Sequence, residues 1–286
     1  MDLDEITIQK IAKEDLRTLV EWASIEGWNP GKYDLDVFWN TDPDGFYGCK
    51  VNDELIAGGA IISYEGAFGF MGLFIVHNQY RSKGIGNKLW HRRKNMLISR
   101  LKKNASIGMD GILAMQSYYQ KGGFEISFRD ERYEIIGKEY TYSENVSTIE
   151  SIDLKQIVEF DKLHFGYQRN IFLQLWLTMP ESKAIKYTLK NTVVGYAVIR
   201  KAEKGYRIGP LFAHDETIAE ELLKSCLNFA GEVPVFIDIP TVNISAMNLV
   251  SKYNGKYIFE CARMYHGPSP TYPINNIYGI TSFELG

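Results

Sequence analysis

The chain is poor in the residues that build covalent or metal-held frameworks. Its 286 residues include three cysteines and five histidines. Cys49, Cys226 and Cys261 are odd in number, far apart and without C-x-x-C spacing, which argues against a disulfide scaffold and fits reduced, structural thiols. The histidines stand singly, so no metal site is expected. No apolar run approaches the ~18 residues that a membrane span needs. The opening stretch, MDLDEITIQK, is acidic rather than basic and then apolar, so we expect no secretory signal, no membrane partner and a cytoplasmic protein. With 45% hydrophobic and 23% charged residues the composition is globular, and the length suits about two domains of ordinary size.

A second scarcity is local. Between Gly66 and Met109 there is no Asp or Glu, while nine Lys or Arg fall between Arg81 and Lys103, in a chain of formal net charge −3. A nucleic-acid surface would spread positive charge over a domain face and lift the pI above roughly 9, whereas the pI here is near 6.0. A compact, phosphate-rich small molecule fits better, and no nucleic-acid partner is expected.

Val76 to Leu89 reads VHNQYRSKGIGNKL, an apolar strand running into Arg81-Ser82-Lys83-Gly84-Ile85-Gly86 and then into a basic amphipathic helix. Two glycines at a strand-to-helix turn let consecutive backbone N–H groups converge on an anion, and the positive end of the helix dipole adds to the attraction. A Rossmann fingerprint would need a third glycine where Leu89 stands, and a Walker loop would need Gly-Lys-Ser/Thr after four intervening residues. Neither pattern is present.

The two halves of the chain resemble each other in order. KEDLRTLVEW (Lys13 to Trp22) parallels SIDLKQIVEF (Ser151 to Phe160) at an offset of 138, AGGAII (Ala57 to Ile62) parallels VGYAVI (Val194 to Ile199), and LFIVH (Leu73 to His77) parallels PLFAH (Pro210 to His214). Each half continues as helix, short apolar strand, helix and closing strand. We therefore expect two tandem α/β units of about 140 residues each, 1–142 and 143–286, joined around Lys138 to Val146. In the second unit the cradle is replaced by Asp215 to Leu223, which has no glycine and four carboxylates. Those acids would repel a pyrophosphate and are suited to capping a helix.

The motif, its strand and the repeat together resemble the GNAT superfamily of acyl-CoA-dependent N-acyltransferases. Arg81-x-x-Gly84-x-Gly86 follows the family's Gln/Arg-x-x-Gly-x-Gly/Ala signature, and Tyr119-Gln120-Lys121-Gly122-Gly123-Phe124 follows its Tyr-x-x-x-Gly-Phe ending. The likeness covers residues 5 to 137 well. The second half looks like the degenerate GNAT-related domain of some tandem proteins, as do GWNPG (Gly27 to Gly31) and the ending IYGITSFELG. The resemblance implies an α/β fold of two GNAT-like domains, each a mixed sheet splayed into a V and flanked by helices. Acetyl-CoA would lie in the first V, against Leu73, Phe74, Ile75 and Val76. Its pyrophosphate would sit on Arg81, Ser82, Lys83, Gly84, Ile85 and Gly86, with Asn87 and Lys88 starting the helix beneath.

Acyl transfer to an amine needs a neutral nitrogen, a dipole for the developing oxyanion and a proton for the leaving thiolate. A backbone N–H near Phe74 is the expected oxyanion donor, and Tyr119 occupies the family's usual position for the acid. No carboxylate lies between Gly69 and Val76, a departure from many family members, so Glu26 and Asp110 are the candidate bases, with water-relayed deprotonation as an alternative. Ser24 to Phe38, with Trp22, Trp28, Tyr33 and Trp39 nearby, corresponds to the region that covers the acceptor, and Trp28 and Asn29 are candidate acceptor contacts. If the units pack V to V, Asp238, Arg263 and Tyr265 face the same cavity. The expected function is N-acetyl transfer from acetyl-CoA to a small primary amine by direct attack, by a monomer or homodimer. A CoA-binding sensor without turnover is the alternative, and aminoacyl transfer from charged tRNA is a third reading that the confined basic stretch disfavours.

Overall fold

The structure, a computed structural model, describes residues 6–286; the acidic opening Met1 to Glu5 lies outside them. The first half runs β1 (Ile8–Lys10), α1 (Lys13–Ile25), α2 (Asp34–Thr41), β2 (Phe46–Val51), β3 (Glu54–Tyr64), β4 (Phe68–Val76), α3 (Ile85–Arg100), β5 (Ser106–Ile112), α4 (Gln116–Lys121) and β6 (Glu125–Ile136). The second repeats the order: β7 (Val146–Thr148), α5 (Leu154–Phe165), α6 (Asn170–Leu177), β8 (Ser182–Leu189), β9 (Thr192–Lys201), β10 (Tyr206–Ala213), α7 (Glu216–Ala230), β11 (Pro234–Pro240), α8 (Ile244–Lys252) and β12 (Lys256–His266). A short strand, β13 (Ile277–Gly279), has no counterpart in the first half.

Local sequence accounts for most of these elements. In α1, Leu16, Leu19 and Ala23 recur at helical spacing and are buried, the stripe expected of a helix laid on a sheet. β3 and β9 are buried almost throughout, because helices cover both faces of a mixed sheet and leave no solvent side to favour alternation.

The connection 137–145 carries no regular element, yet the sheet does not stop there. Its strands run β1-β2-β3-β4-β5-β12-β6-β11-β10-β9-β8-β7. β12 of the second half lies between β5 and β6 of the first, pairing Arg263 with Asp110 and Ala262 with Arg129. β6 of the first half pairs in turn with β11, Arg132 opposite Asp238. Each half thus completes its sheet with a strand from the other, and one sheet crosses the whole molecule.

Buried ion pairs join the halves. Arg200 on β9 holds Asp34 of α2 at 2.9 Å, Arg132 holds Asp238 at 2.5 and 2.8 Å, and Arg263 holds Asp110 at 2.7 and 2.9 Å. Burying charge is costly, but two-pronged guanidinium–carboxylate pairing offsets much of that cost and fixes relative position.

Candidate active site

β4 and β5 pair in parallel only at Phe68, Gly69 and Phe70 with Ser106, Ile107 and Gly108. Beyond that point they part, which opens the V that the family resemblance implies. The ladder of β4 with β3 slips at the same level, between Gly58 and Ala60, and Leu73 adopts φ +48°, a left-handed conformation uncommon for a bulky residue. Arg93 of α3 holds this bulge from below. It is fully buried, its Nη2 donates to the carbonyls of Ala60 and of Gly72, the latter at 2.9 Å, and a Cβ on Gly59 would lie 2.3 Å from its Cζ. Gly59 is therefore a glycine because Arg93 occupies the space.

Past β4 the chain makes one 3-10 turn (Asn78–Tyr80) and reaches Gly84, which caps α3 at φ +80° without a side-chain hydrogen bond. No acid occupies the first turn of α3, so its free amides face outward uncompensated. At Gly86 a Cβ would come within 3.3 Å of Val76 Cγ2, so helix and strand approach closely here. Arg81 binds the Val76 carbonyl through Nε at 2.9 Å and forms an ion pair with Glu26 through Nη2.

An open cleft follows. Phe74, Ile75 and Val76 line one side, Arg81, Ser82, Gly84, Gly86 and Asn87 its basic end, and Ile112, Met115, Tyr118 and Tyr119 the other side. Tyr118 ties the walls together, its hydroxyl donating to Asn87 Oδ1 at 2.7 Å. Among the expected cradle residues, Ile85 turns its side chain into the core, Lys83 stands over the Tyr80 ring, and Lys88 bonds the Gly84 carbonyl through its amide at 3.1 Å. These three do not line the cleft.

A second cavity joins the cleft at Trp28, Phe74, Ile112 and Tyr119 and continues between the halves, walled by Met71, Leu73, Met109, Asp110, Phe259, Cys261, Phe283 and Glu284. Tyr119 sits at the junction. Burial pushes its phenol up to about 12, and among the described residues its hydroxyl has no hydrogen-bond partner. Asp110 also lines the cavity. Burial, against the opposing pull of Arg263, raises its carboxyl to about 6.

The remaining candidates fall elsewhere. Glu26 lies at the cleft's mouth, engaged by Arg81, where it steadies the cradle's arginine and stands outside the inner cavity. Asn29 (φ +53°) docks the 27–31 loop on the second half, exchanging hydrogen bonds of 2.8 and 3.1 Å with the Lys204 backbone, and lines neither cavity. Asp238 is buried and bound by both Arg132 and Arg207. Burial alone would raise its pKa, but the two guanidiniums outweigh that and hold it below the usual carboxylate range. It is a structural counter-ion with no oxygen left for a substrate. Arg263 is spent on Asp110, and Tyr265 shares a hydrogen bond with Tyr272. Trp22, Tyr33 and Trp39 pack against the core, and of the aromatic tract Trp28 alone reaches the cavities. Sequence reasoning did not find Phe259, Phe283 or Glu284, which the exchanged strand β12 and the segment after β13 deliver from more than 140 positions away from β5.

The second V is built on the same plan and filled. β10 and β11 pair at Tyr206, Arg207 and Ile208 and then part, and β13 enters the gap, pairing Leu211 with Gly279 and Phe212 with Ile277. The Ile280 amide reaches the Asp238 carbonyl at 2.8 Å. The helix that follows, α7, is capped by Asp215, whose carboxylate accepts from the Ile218 amide at 2.9 Å. Among the described residues no helix is long and apolar enough to cross a membrane, and no group of three or more His, Cys, Asp or Glu is arranged around a metal position.

Comparison with known proteins agrees with this architecture. Residues 12–124 match the acetyltransferase (GNAT) family and residues 157–279 match an acetyltransferase (GNAT) domain. The chain belongs to the GNAT family of acyltransferases, in tandem form. It is 29% identical over 285 residues to a holothin acyltransferase of Pseudoalteromonas sp. (strain SANK 73390), covering 98% of this chain and 94% of that protein. A Pyrococcus horikoshii structure described as an acetyltransferase superposes with a TM-score of 0.85 at 22% identity, over 100% of this chain and 98% of that one. A tandem GNAT protein from the clavulanic acid biosynthesis pathway gives 0.63 at 12% identity, over 93% and 100%.

Proposed function

We propose that this protein transfers an acyl group, acetyl in the first instance, from a CoA thioester to the primary amine of a small molecule by direct attack. The observation that carries the reading is the joined pair of spaces: an open cleft ending in a helix N-terminus without a side-chain cap, and an aromatic-walled cavity that meets it at Tyr119. The residues present suit the cosubstrate. The amides at the start of α3 and the guanidinium of Arg81 are placed for a pyrophosphate, and the apolar edge of β4 for the arm that carries the acyl group. When bound, the thioester supplies an activated carbonyl.

The chain's own residues then divide the work. Trp28 and Phe259 hold the acceptor so that its nitrogen faces the carbonyl across the cavity junction. The interrupted ladder at Leu73 and Phe74 leaves a backbone N–H as the dipole for the developing oxyanion, where fixed donors are most effective. Tyr119 gives its proton to the leaving sulfur, since a phenol held up to about 12 is fully protonated at neutral pH. The aromatic lining favours a compact, partly apolar acceptor, and holothin, named in a full-length relative, is the natural first compound to assay.

The test is release of free thiol from acetyl-CoA by the purified protein with holothin and a panel of arylalkylamines. Amine-dependent release with formation of the amide supports the reading. Acetyl-CoA binding without any release would favour a sensor without turnover, the alternative that the acid-free stretch from Gly69 to Val76 suggests. A cytoplasmic location and a monomeric or homodimeric state complete the proposal.

A further inference from the structure

Direct attack by an amine requires somewhere for the nitrogen's proton to go, and β4 carries no acid. The cavity itself answers the requirement. Two carboxylates line it, Asp110 and Glu284. Both oxygens of Asp110 are occupied by Arg263. Glu284, 3% exposed, accepts from Arg207 Nη1 through Oε1 at 3.1 Å, while its Oε2 is buried with no partner. A buried carboxylate oxygen left unpaired is costly, and such groups are rare enough to require a reason.

The backbone shows how Glu284 comes to be there. After β13 the chain leaves the second V, passes Gly209, where a Cβ would lie 2.3 Å from the Thr281 carbonyl oxygen, and then crosses β4 at Gly72, where a Cβ would lie 1.8 Å from the Glu284 carbonyl oxygen. Arg169 holds Thr281 Oγ1 at 2.8 Å, and the Tyr64 hydroxyl holds the Leu285 carbonyl at 2.9 Å. The ribbon is thus pinned on both sides of Glu284. Gly72 is the bare position on β4 that lets another segment lay its backbone, and its acid, against the bulge.

We propose that Glu284, supplied by the second half, is the general base of the first half's site: its Oε2 receives the proton of the acceptor amine. This rests on the acyltransferase reading above. As the nitrogen–carbon bond forms and the carbon–sulfur bond breaks, one N–H proton passes to Glu284 Oε2 and the thiolate takes the proton of Tyr119. The charged groups around Glu284 are Arg207 on β10, Arg200 on β9 and Asp110 on β5, with Asp238, Asp34 and Arg263 as their partners. Asp34 holds Arg200, Arg263 holds Asp110, and Asp238 is shared by Arg132 and by Arg207, the cation that contacts Glu284. The ribbon that fills one V thereby completes the chemistry of the other.

The experiment is Glu284→Gln, which keeps the side chain's size and an oxygen for Arg207, assayed by thiol release from acetyl-CoA with phenethylamine, tryptamine and holothin. Loss of a general base predicts a fall in kcat of about 100-fold or more with the acetyl-CoA dissociation constant unchanged. A variant that keeps the wild-type kcat overturns the proposal while leaving acyl transfer standing. Wild-type protein that fails to bind acetyl-CoA, or that binds it and releases no thiol with any of these amines, removes the acyltransferase reading and this proposal with it. Should the variant not fold, a crystal structure of the wild type with CoA and N-acetylphenethylamine decides. The amide nitrogen at hydrogen-bond distance, about 3 Å, from Glu284 Oε2 supports the proposal, and an amide nitrogen facing away from it overturns it.

Discussion

The two halves of this molecule run the same elements in the same order, and they end as opposites. In the first, β4 and β5 part and the space between them stays open, with a helix behind it whose N-terminus has neither a side-chain cap nor an acid. In the second, β10 and β11 part and β13 fills the gap, while Asp215 caps the helix. A splayed sheet is unstable as such, because it leaves strand edges unpaired at the centre of the protein. One half resolves this with its own chain, and the other keeps an unsatisfied edge and an unsatisfied helix end, which are the two features that a pantetheine arm and a pyrophosphate would complete.

Several substitutions would break or sharpen that contrast. The largest effect is expected where the halves depend on each other. Asp238→Ala leaves Arg132 and Arg207 buried without their shared counter-ion, and should cost about 3–5 kcal/mol, read as a loss of denaturation midpoint in urea. Gly84→Glu should weaken acetyl-CoA binding about 100-fold by calorimetry, since it forces a side chain into a left-handed position and sets a carboxylate where a phosphate belongs; Thr217→Glu, at the matching turn of the second half, should leave that binding unchanged. Tyr119→Phe should lower kcat about 10- to 100-fold with acetyl-CoA affinity retained. An acid must hold its proton to act, so activity that depends on this phenol is lost only as pH rises through about 12, and wild-type activity should show no fall from this group at ordinary alkaline pH. The smallest effect belongs to the filled half: Asp215→Ala removes a helix cap, about 1 kcal/mol, with no change in turnover.

Much of the contrast was legible before any coordinates. The cradle from Arg81 to Gly86 announces itself because glycine spacing and helix start are local, and the second half's acids at Asp215 to Glu221 read as a cap for the same reason. The order of elements, and hence the repeat, followed from short matching runs. What could not be read was pairing between distant strands. Nothing near β12 says that Arg263 will face Asp110 across the chain's midpoint, because register is set by contacts between segments about 150 positions apart. Asp238 was expected to face the shared cavity, and it takes the positions of Arg132 and Arg207 to show that it is consumed in structure. Glu284 was passed over for the complementary reason: it lies in a segment with no counterpart in the first half, so the repeat offered no hint of its place. Glu26 fell between, near the site as expected but bound to Arg81.

The central claim is that one V receives a cosubstrate and the other is occupied by the protein itself. A calorimetric titration with acetyl-CoA, followed by a crystal structure of the saturated protein, tests it most directly. The account predicts one molecule per chain, lying between β4 and β5 with its pyrophosphate at the start of α3 and β13 still in place; two molecules per chain, or one found between β10 and β11 with β13 displaced, would contradict it.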